Sequence, residues 1–169
     1  MEHKLAQYQI TAPESLLEAT IPLPASKSIS NRAHIIRALT KDPQSVLNLS
    51  DCDDTRVMEE VFRSAGTEFD IGHAGTAMRF LTAWLSTRPG EWVLTGSERM
   101  KQRPIRVLVD ALTSLGARIS YLDKAGFPPL GISGSTLKGG VVELDGSVSS
   151  QYITALLLIA PSLEGGLIL

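Results

Sequence analysis

The stretch Ala74-Gly75-Thr76-Ala77-Met78-Arg79-Phe80-Leu81-Thr82-Ala83-Trp84-Leu85, followed by Pro89-Gly90 and Trp92-Val93-Leu94, decides the fold class. Small residues open it, Met78, Phe80, Leu81 and Trp84 recur at helical spacing, and Pro89-Gly90 stops it. Beyond the stop, Trp92-Val93-Leu94 reads as a strand. A helix followed at once by a strand is the alternation of an α/β protein.

The alternation continues in both directions. Upstream, residues 5–10 and 17–23 read as strands, the second ending at Pro22 and Pro24. A helix follows Ser26-Lys27-Ser28, with Ile29, Ala33, Ile36 and Leu39 as its apolar stripe. Another opens at Asp53-Asp54, read as N-cap residues, and passes through Val57, Met58, Val61 and Phe62 to Gly66. Downstream, a helix starts at Pro104 and ends at Leu115-Gly116. Strands at 118–122, 130–133 and 141–144 precede a last helix at 149–161. The recurring helix-strand-strand grouping predicts a repeated supersecondary unit. Gly166-Leu167-Ile168-Leu169 reads as a strand that stops on apolar residues, so the expectation is a truncated chain.

Composition narrows the function classes. The 169 residues suffice for one domain with a sizeable core, and a hydrophobic fraction of 43% with 20% charged residues is that of a globular protein. A net charge of −2 gives no global field for nucleic acid or an acidic membrane surface, so any anion site must be local. Cys52 is the single cysteine, which excludes an internal disulfide and a multi-cysteine zinc site. His3, His34 and His73 show no metal-ligand spacing. Asp51 to Asp54 supplies too few oxygens for a hard cation and is read as capping. The N-terminus is too polar for a signal peptide, and no apolar run approaches the ~20 residues of a membrane span. A cytoplasmic protein is expected. No GxGxxG or GxxxxGK[ST] motif is present.

Three helix starts carry small or hydroxylated residues: Ser26-Lys27-Ser28 with Ser30, Ala74-Gly75-Thr76, and Ser147-Val148-Ser149-Ser150. Helix N-termini offer unpaired N–H groups to phosphate or carboxylate, and small side chains let a ligand approach the backbone. Capping accounts for each such residue singly. The cations argue further. Arg32 and Arg79 fall in or near first turns, and Arg103 precedes Pro104. A cation there opposes the helix dipole at a cost of roughly 0.3–1 kcal/mol. Together with Lys27, these arginines predict that something negative is bound; the competing reading is pairing with surface carboxylates such as Asp53 or Glu98.

Four segments, Leu23 to Ala33, Ala74 to Arg79, Arg99 to Ile105 and Asp145 to Tyr152, resemble in order the signatures of the EPSP synthases (3-phosphoshikimate 1-carboxyvinyltransferases). The resemblance implies repeated βαβαββ units of the enolpyruvyl transferase (inverse α/β barrel) fold. It places residues 1–18 as a strand segment packing with the other domain. Residues 19–169 would then be the N-terminal domain, truncated before its third unit, with the C-terminal domain absent. The implied reaction transfers the enolpyruvyl group of phosphoenolpyruvate to the 5-hydroxyl of shikimate 3-phosphate and releases phosphate.

The same resemblance assigns roles. Lys27 is the catalytic residue of this part and reaches both substrates, and Ser28 and Arg32 hold shikimate 3-phosphate. Ser149 and Ser150 bind its 3-phosphate, and Gln151 lies beside the substrates. Gly75 and Arg103 contact phosphoenolpyruvate, with Thr76 and Arg79 in support. No metal or organic cofactor is implied, and the full-length enzyme is expected to be a monomer. The acid/base carboxylates lie in the missing half, so this part is expected to bind and not to turn over.

Three departures stand out. The segment from Asp54 to Gly72 is short and lacks room for the strands that complete the first unit. His73 stands where Asn is common, and Phe80 where Pro is common, which leaves glyphosate sensitivity open. Two other readings are an enolpyruvyl transferase acting on UDP-N-acetylglucosamine, which typically has Lys-Asn at Lys27-Ser28, and a non-enzymatic phospho-ligand binding module.

Overall fold

A computed structural model describes residues 8–13, 16–40, 44–147 and 149–169. Its centre is the helix on which the sequence reading began, here α3 (Gly75–Ser86). Every residue from Ala77 to Ser86 is buried. A helix apolar all round belongs inside a protein. Its few polar groups are satisfied locally: the Thr82 hydroxyl donates to the Met78 carbonyl at 2.6 Å, and Ser86 donates to the Thr82 carbonyl at 2.8 Å.

Two other helices flank it, α1 (Lys27–Leu39) and α5 (Ser150–Ile159), and the three pack on one another. Between α1 and α3 in sequence lie α2 (Asp53–Arg63) and β1 (Glu68–Asp70). After α3 come β2 (Gly90–Thr95), α4 (Arg106–Ser114), β3 (Arg118–Tyr121) and β4 (Leu130–Gly134). The sheet order is β1-β2-β4-β3, with β1 parallel to β2 and the other pairs antiparallel. Thus β1-α3-β2-α4-β3-β4 is one complete βαβαββ unit. The pair β5 (Gly140–Val141) and β6 (Leu167–Ile168), parallel and joined through α5, repeats its first three elements. The expected repeat is therefore visible as topology without sequence identity between copies. Gly134 shows how closely the layers meet: a Cβ there would collide with the Arg88 and Leu85 carbonyl oxygens.

Several boundaries differ from the sequence reading. Residues 17–23 form no strand, because no described backbone pairs with them, and Leu17, Ile21 and Leu23 are exposed. Of the strand expected at 5–10, residues 5–7 lie outside the described residues, and 8–10 have no regular structure. The stripe expected on α1 faces the wrong way: Ile29 and Ile36 are 69% and 56% exposed, whereas Ser30, Asn31, His34 and Ile35 are buried. Part of that polar inner face is paired, with Ser50 N–H donating to Ser30 Oγ at 2.9 Å and Thr55 Oγ1 donating to Asn31 Oδ1 at 2.8 Å, while Asn31 Nδ2 and His34 Nε2 have no described partner. Helix α2 is capped at Cys52, one residue before the expected Asp53. β1 falls where no strand was expected.

α4 starts two residues beyond Pro104, because Ile105 (φ −137°, ψ 1°) is not helical and the Pro104 carbonyl is bonded elsewhere. A 3-10 turn, Met100–Gln102, precedes it. β5 covers only the start of the expected 141–144 strand, since its partner ladder ends at Ile168. Among the described residues, no helix is long and apolar enough to cross a membrane.

Candidate anion-binding site at the helix starts

The site is assembled from the first turns of four helices, tied by three contacts. At the start of α1, Lys27 Nζ lies 3.8 Å from Asp54 Oδ1 on α2. The other oxygen of Asp54 accepts from the Thr76 N–H at the start of α3, at 3.3 Å. Thr76 Oγ1 in turn meets Gln151 Nε2 of α5 at 3.4 Å. Ser149 caps α5 by accepting from the Gln151 N–H at 3.3 Å. The starts of α1, α2, α3 and α5 are therefore linked at one place; the Thr76 and Gln151 N–H groups are taken within it, and the remaining first-turn N–H groups are the kind an anion site uses.

Arg103 completes it. Its guanidinium lies against Gly75 so closely that a Cβ at that residue would collide with Nη1. This contact requires a glycine. Below it, Arg79 is 4% exposed and spans the floor. Its Nη1 donates to the Gly75 carbonyl at 3.0 Å, and its Nη2 donates to the Pro104 carbonyl at 3.4 Å. Tyr152 O–H donates to the same Pro104 carbonyl at 2.7 Å. Burial lowers the Arg79 pKa below its ordinary value, partly offset by Tyr152, with Arg103 adding to the lowering.

The arginines do not pair with surface carboxylates. Asp53 is taken by Arg56 at 3.7 Å, and Glu98 by Lys101 at 2.8 Å. Among the described residues, Arg32, Arg79 and Arg103 form no ion pair. Lys27 is 53% exposed and only loosely held by Asp54, so its ammonium can meet a ligand. A cavity of about 350 Å³ lined by His73, Arg99, Met100 and Arg103 adjoins this edge, where Ser97 and His73 Nδ1 are 2.7 Å apart. No described cluster of three or more His, Cys, Asp or Glu residues could hold a metal ion.

Of the residues expected from sequence, Lys27, Gly75, Thr76, Arg103, Ser149 and Gln151 are brought into contact with one another or with their neighbours in the site. Ser150 opens α5 beside them and is exposed. Ser28 and Arg32 instead pair locally on α1, where Arg32 Nη1 donates to the Ser28 carbonyl at 2.8 Å and meets its hydroxyl. Asp54 was missed as a site residue. Its signal was a second acid in a helix first turn, which reads as capping until its reach to α3 is seen. Tyr152 lies within the fourth signature, and its contact with the Pro104 carbonyl is what ties it to the site.

The fold and the site define a class: α/β proteins whose packed central helices present their N-termini, with arginines, to one face. Within it the chain belongs to the EPSP synthase (3-phosphoshikimate 1-carboxyvinyltransferase) family, whose model matches residues 11–70 and 64–169. It is 57% identical over 161 residues to the 3-phosphoshikimate 1-carboxyvinyltransferase of Bacteroides fragilis (strain YCH46), covering 95% of this chain and 39% of that protein. With the enzyme of the same name from Actinobacillus pleuropneumoniae serotype 5b (strain L20), identity is 44% over 183 residues, covering 91% of this chain and 42% of that protein. A solved EPSP synthase from Acinetobacter baumannii superposes with a TM-score of 0.76 at 24% identity, covering 85% of this chain and 38% of that one, and so shares the fold. The chain thus spans about two fifths of the length of the curated relatives it matches.

Proposed function

We propose that this chain supplies the shikimate 3-phosphate cradle and one edge of the phosphoenolpyruvate site of a 3-phosphoshikimate 1-carboxyvinyltransferase acting in the cytoplasm. The observation that carries the proposal is the linked set of helix starts with Arg103 seated on Gly75 and unpaired by any described carboxylate. Ser149 and Ser150, at the start of α5, receive the 3-phosphate, with Ser28 and Arg32 on α1 holding the same substrate. Gln151 lies beside the bound ring, and Lys27 reaches both substrates. Arg103 grips the phosphate of phosphoenolpyruvate through its planar fork, against the backbone of Gly75. Arg79 fixes the Gly75 and Pro104 carbonyls from below. In the reaction, the 5-hydroxyl oxygen bonds to the enolpyruvyl group and inorganic phosphate leaves.

General acid–base groups must stand within hydrogen-bond reach of the moving proton. The resemblance puts them in the part of the relatives that this chain does not span, so the chain by itself binds without turnover. The exposed side chains of Tyr8, Ile10, Leu16 and Leu17 support the further reading that residues 1–18 pack against another domain. In a protein of the relatives' full length, Arg103→Ala is expected to weaken phosphoenolpyruvate use far more than shikimate 3-phosphate binding. Equal losses for both substrates would show the role misassigned. Release of phosphate by this chain alone would sink the claim that the chemistry lies elsewhere.

A further inference from the structure

Asp54 brings a negative charge into a site whose other charged groups, Lys27, Arg79 and Arg103, are cations. Its side chain is 13% exposed, against 96% for Asp53 beside it. One oxygen lies 3.8 Å from Lys27 Nζ, and the other accepts from the Thr76 N–H at 3.3 Å. Those partners are two of the groups the site offers to an anion, an ammonium and a first-turn N–H of α3. Both contacts are long. A carboxylate placed for stability takes charge-assisted bonds of about 2.7–2.9 Å, and a largely desolvated one without them returns little for its burial. Capping does not explain the placement either. The Thr55 and Arg56 N–H groups of α2 go to the Cys52 carbonyl, and among the described hydrogen bonds Asp54 accepts from α3 and not from its own helix.

We propose that Asp54 is the resident anion of the site: it holds Lys27 and the start of α3 in register and yields Lys27 to an incoming phosphate. The proposal rests on the anion-site reading above and makes Asp54 a positioning residue that acts through Lys27. The exchange is easy, because the Lys27 side chain is 53% exposed and swings on a flexible stem from one oxyanion to another. Its cost is Coulombic. The carboxylate repels each anion brought to the site in proportion to that anion's charge. Asp54→Asn removes the charge and keeps an oxygen able to accept from the Thr76 N–H, so the tie between α2 and α3 survives.

The test is calorimetric titration of the chain with inorganic phosphate, at low ionic strength and a pH where phosphate is a dianion. Asp54→Asn should bind phosphate about tenfold more tightly than the parent chain. Formate, with half the charge, should gain about threefold, since half the charge gives half the free-energy change. A tie that is merely structural predicts no gain, and no dependence on ligand charge. Arg103→Ala should weaken phosphate in both backgrounds, which locates the ion. Unchanged or weaker phosphate binding by Asp54→Asn, or equal gains for phosphate and formate, overturns the proposal and leaves the anion site standing. Absence of phosphate binding to both chains, or binding indifferent to Arg103→Ala, brings down the anion-site reading and the proposal with it.

Discussion

Gly75 and Arg103 show how the site is set by single atoms. Gly75→Ala would press a methyl group into the guanidinium, which must then leave the position it holds over the backbone. The expected result is a loss of phosphoenolpyruvate affinity of at least about tenfold, with little change in melting temperature, because the guanidinium can swing to solvent. Calorimetry and thermal unfolding of one preparation of the full-length protein check both halves. His34 offers a second test at this scale. Burial lowers its pKa below the ordinary 6.5; Glu59 opposes the shift, and Arg37 and Arg63 add to it. The unfolded chain therefore takes up the proton first, and the stabilising contribution is complete above about pH 6.5 and lost as pH falls below it. His34→Leu should flatten this slope and, by removing an unpartnered nitrogen, stabilise the chain by about 1 kcal/mol at neutral pH. Urea unfolding at stepped pH measures it.

At the scale of elements, α1 and α3 differ in how their burial arises. α3 is buried all round, so Leu81→Ala, at a fully buried residue, should cost about 2–5 kcal/mol in denaturant unfolding. Ile29→Ala on α1 should cost no more than about 0.5 kcal/mol, because the side chain is 69% exposed. Periodicity was reliable for α3 because an all-round apolar helix has no wrong face. It failed for α1 because the inner face is built from Ser30, Asn31 and His34, whose burial depends on partners in other elements. Such partners are far away in sequence, as Thr55 is from Asn31. The strand at 17–23 failed for the same reason, since apolar alternation does not reveal whether a neighbouring strand exists. The helix starts, by contrast, were legible one by one from capping residues and misplaced cations. Only their convergence, through Asp54 and Thr76, required the fold.

For the whole molecule, the central claim is that the linked helix starts make one anion site. The test is a calorimetric titration of the chain with shikimate 3-phosphate, repeated on the Ser149→Ala, Ser150→Ala double variant. The account predicts weak, saturable binding to the parent chain and its loss in the variant, with folding unchanged by circular dichroism. Absence of binding to the parent chain, or undiminished binding to the variant, would contradict it.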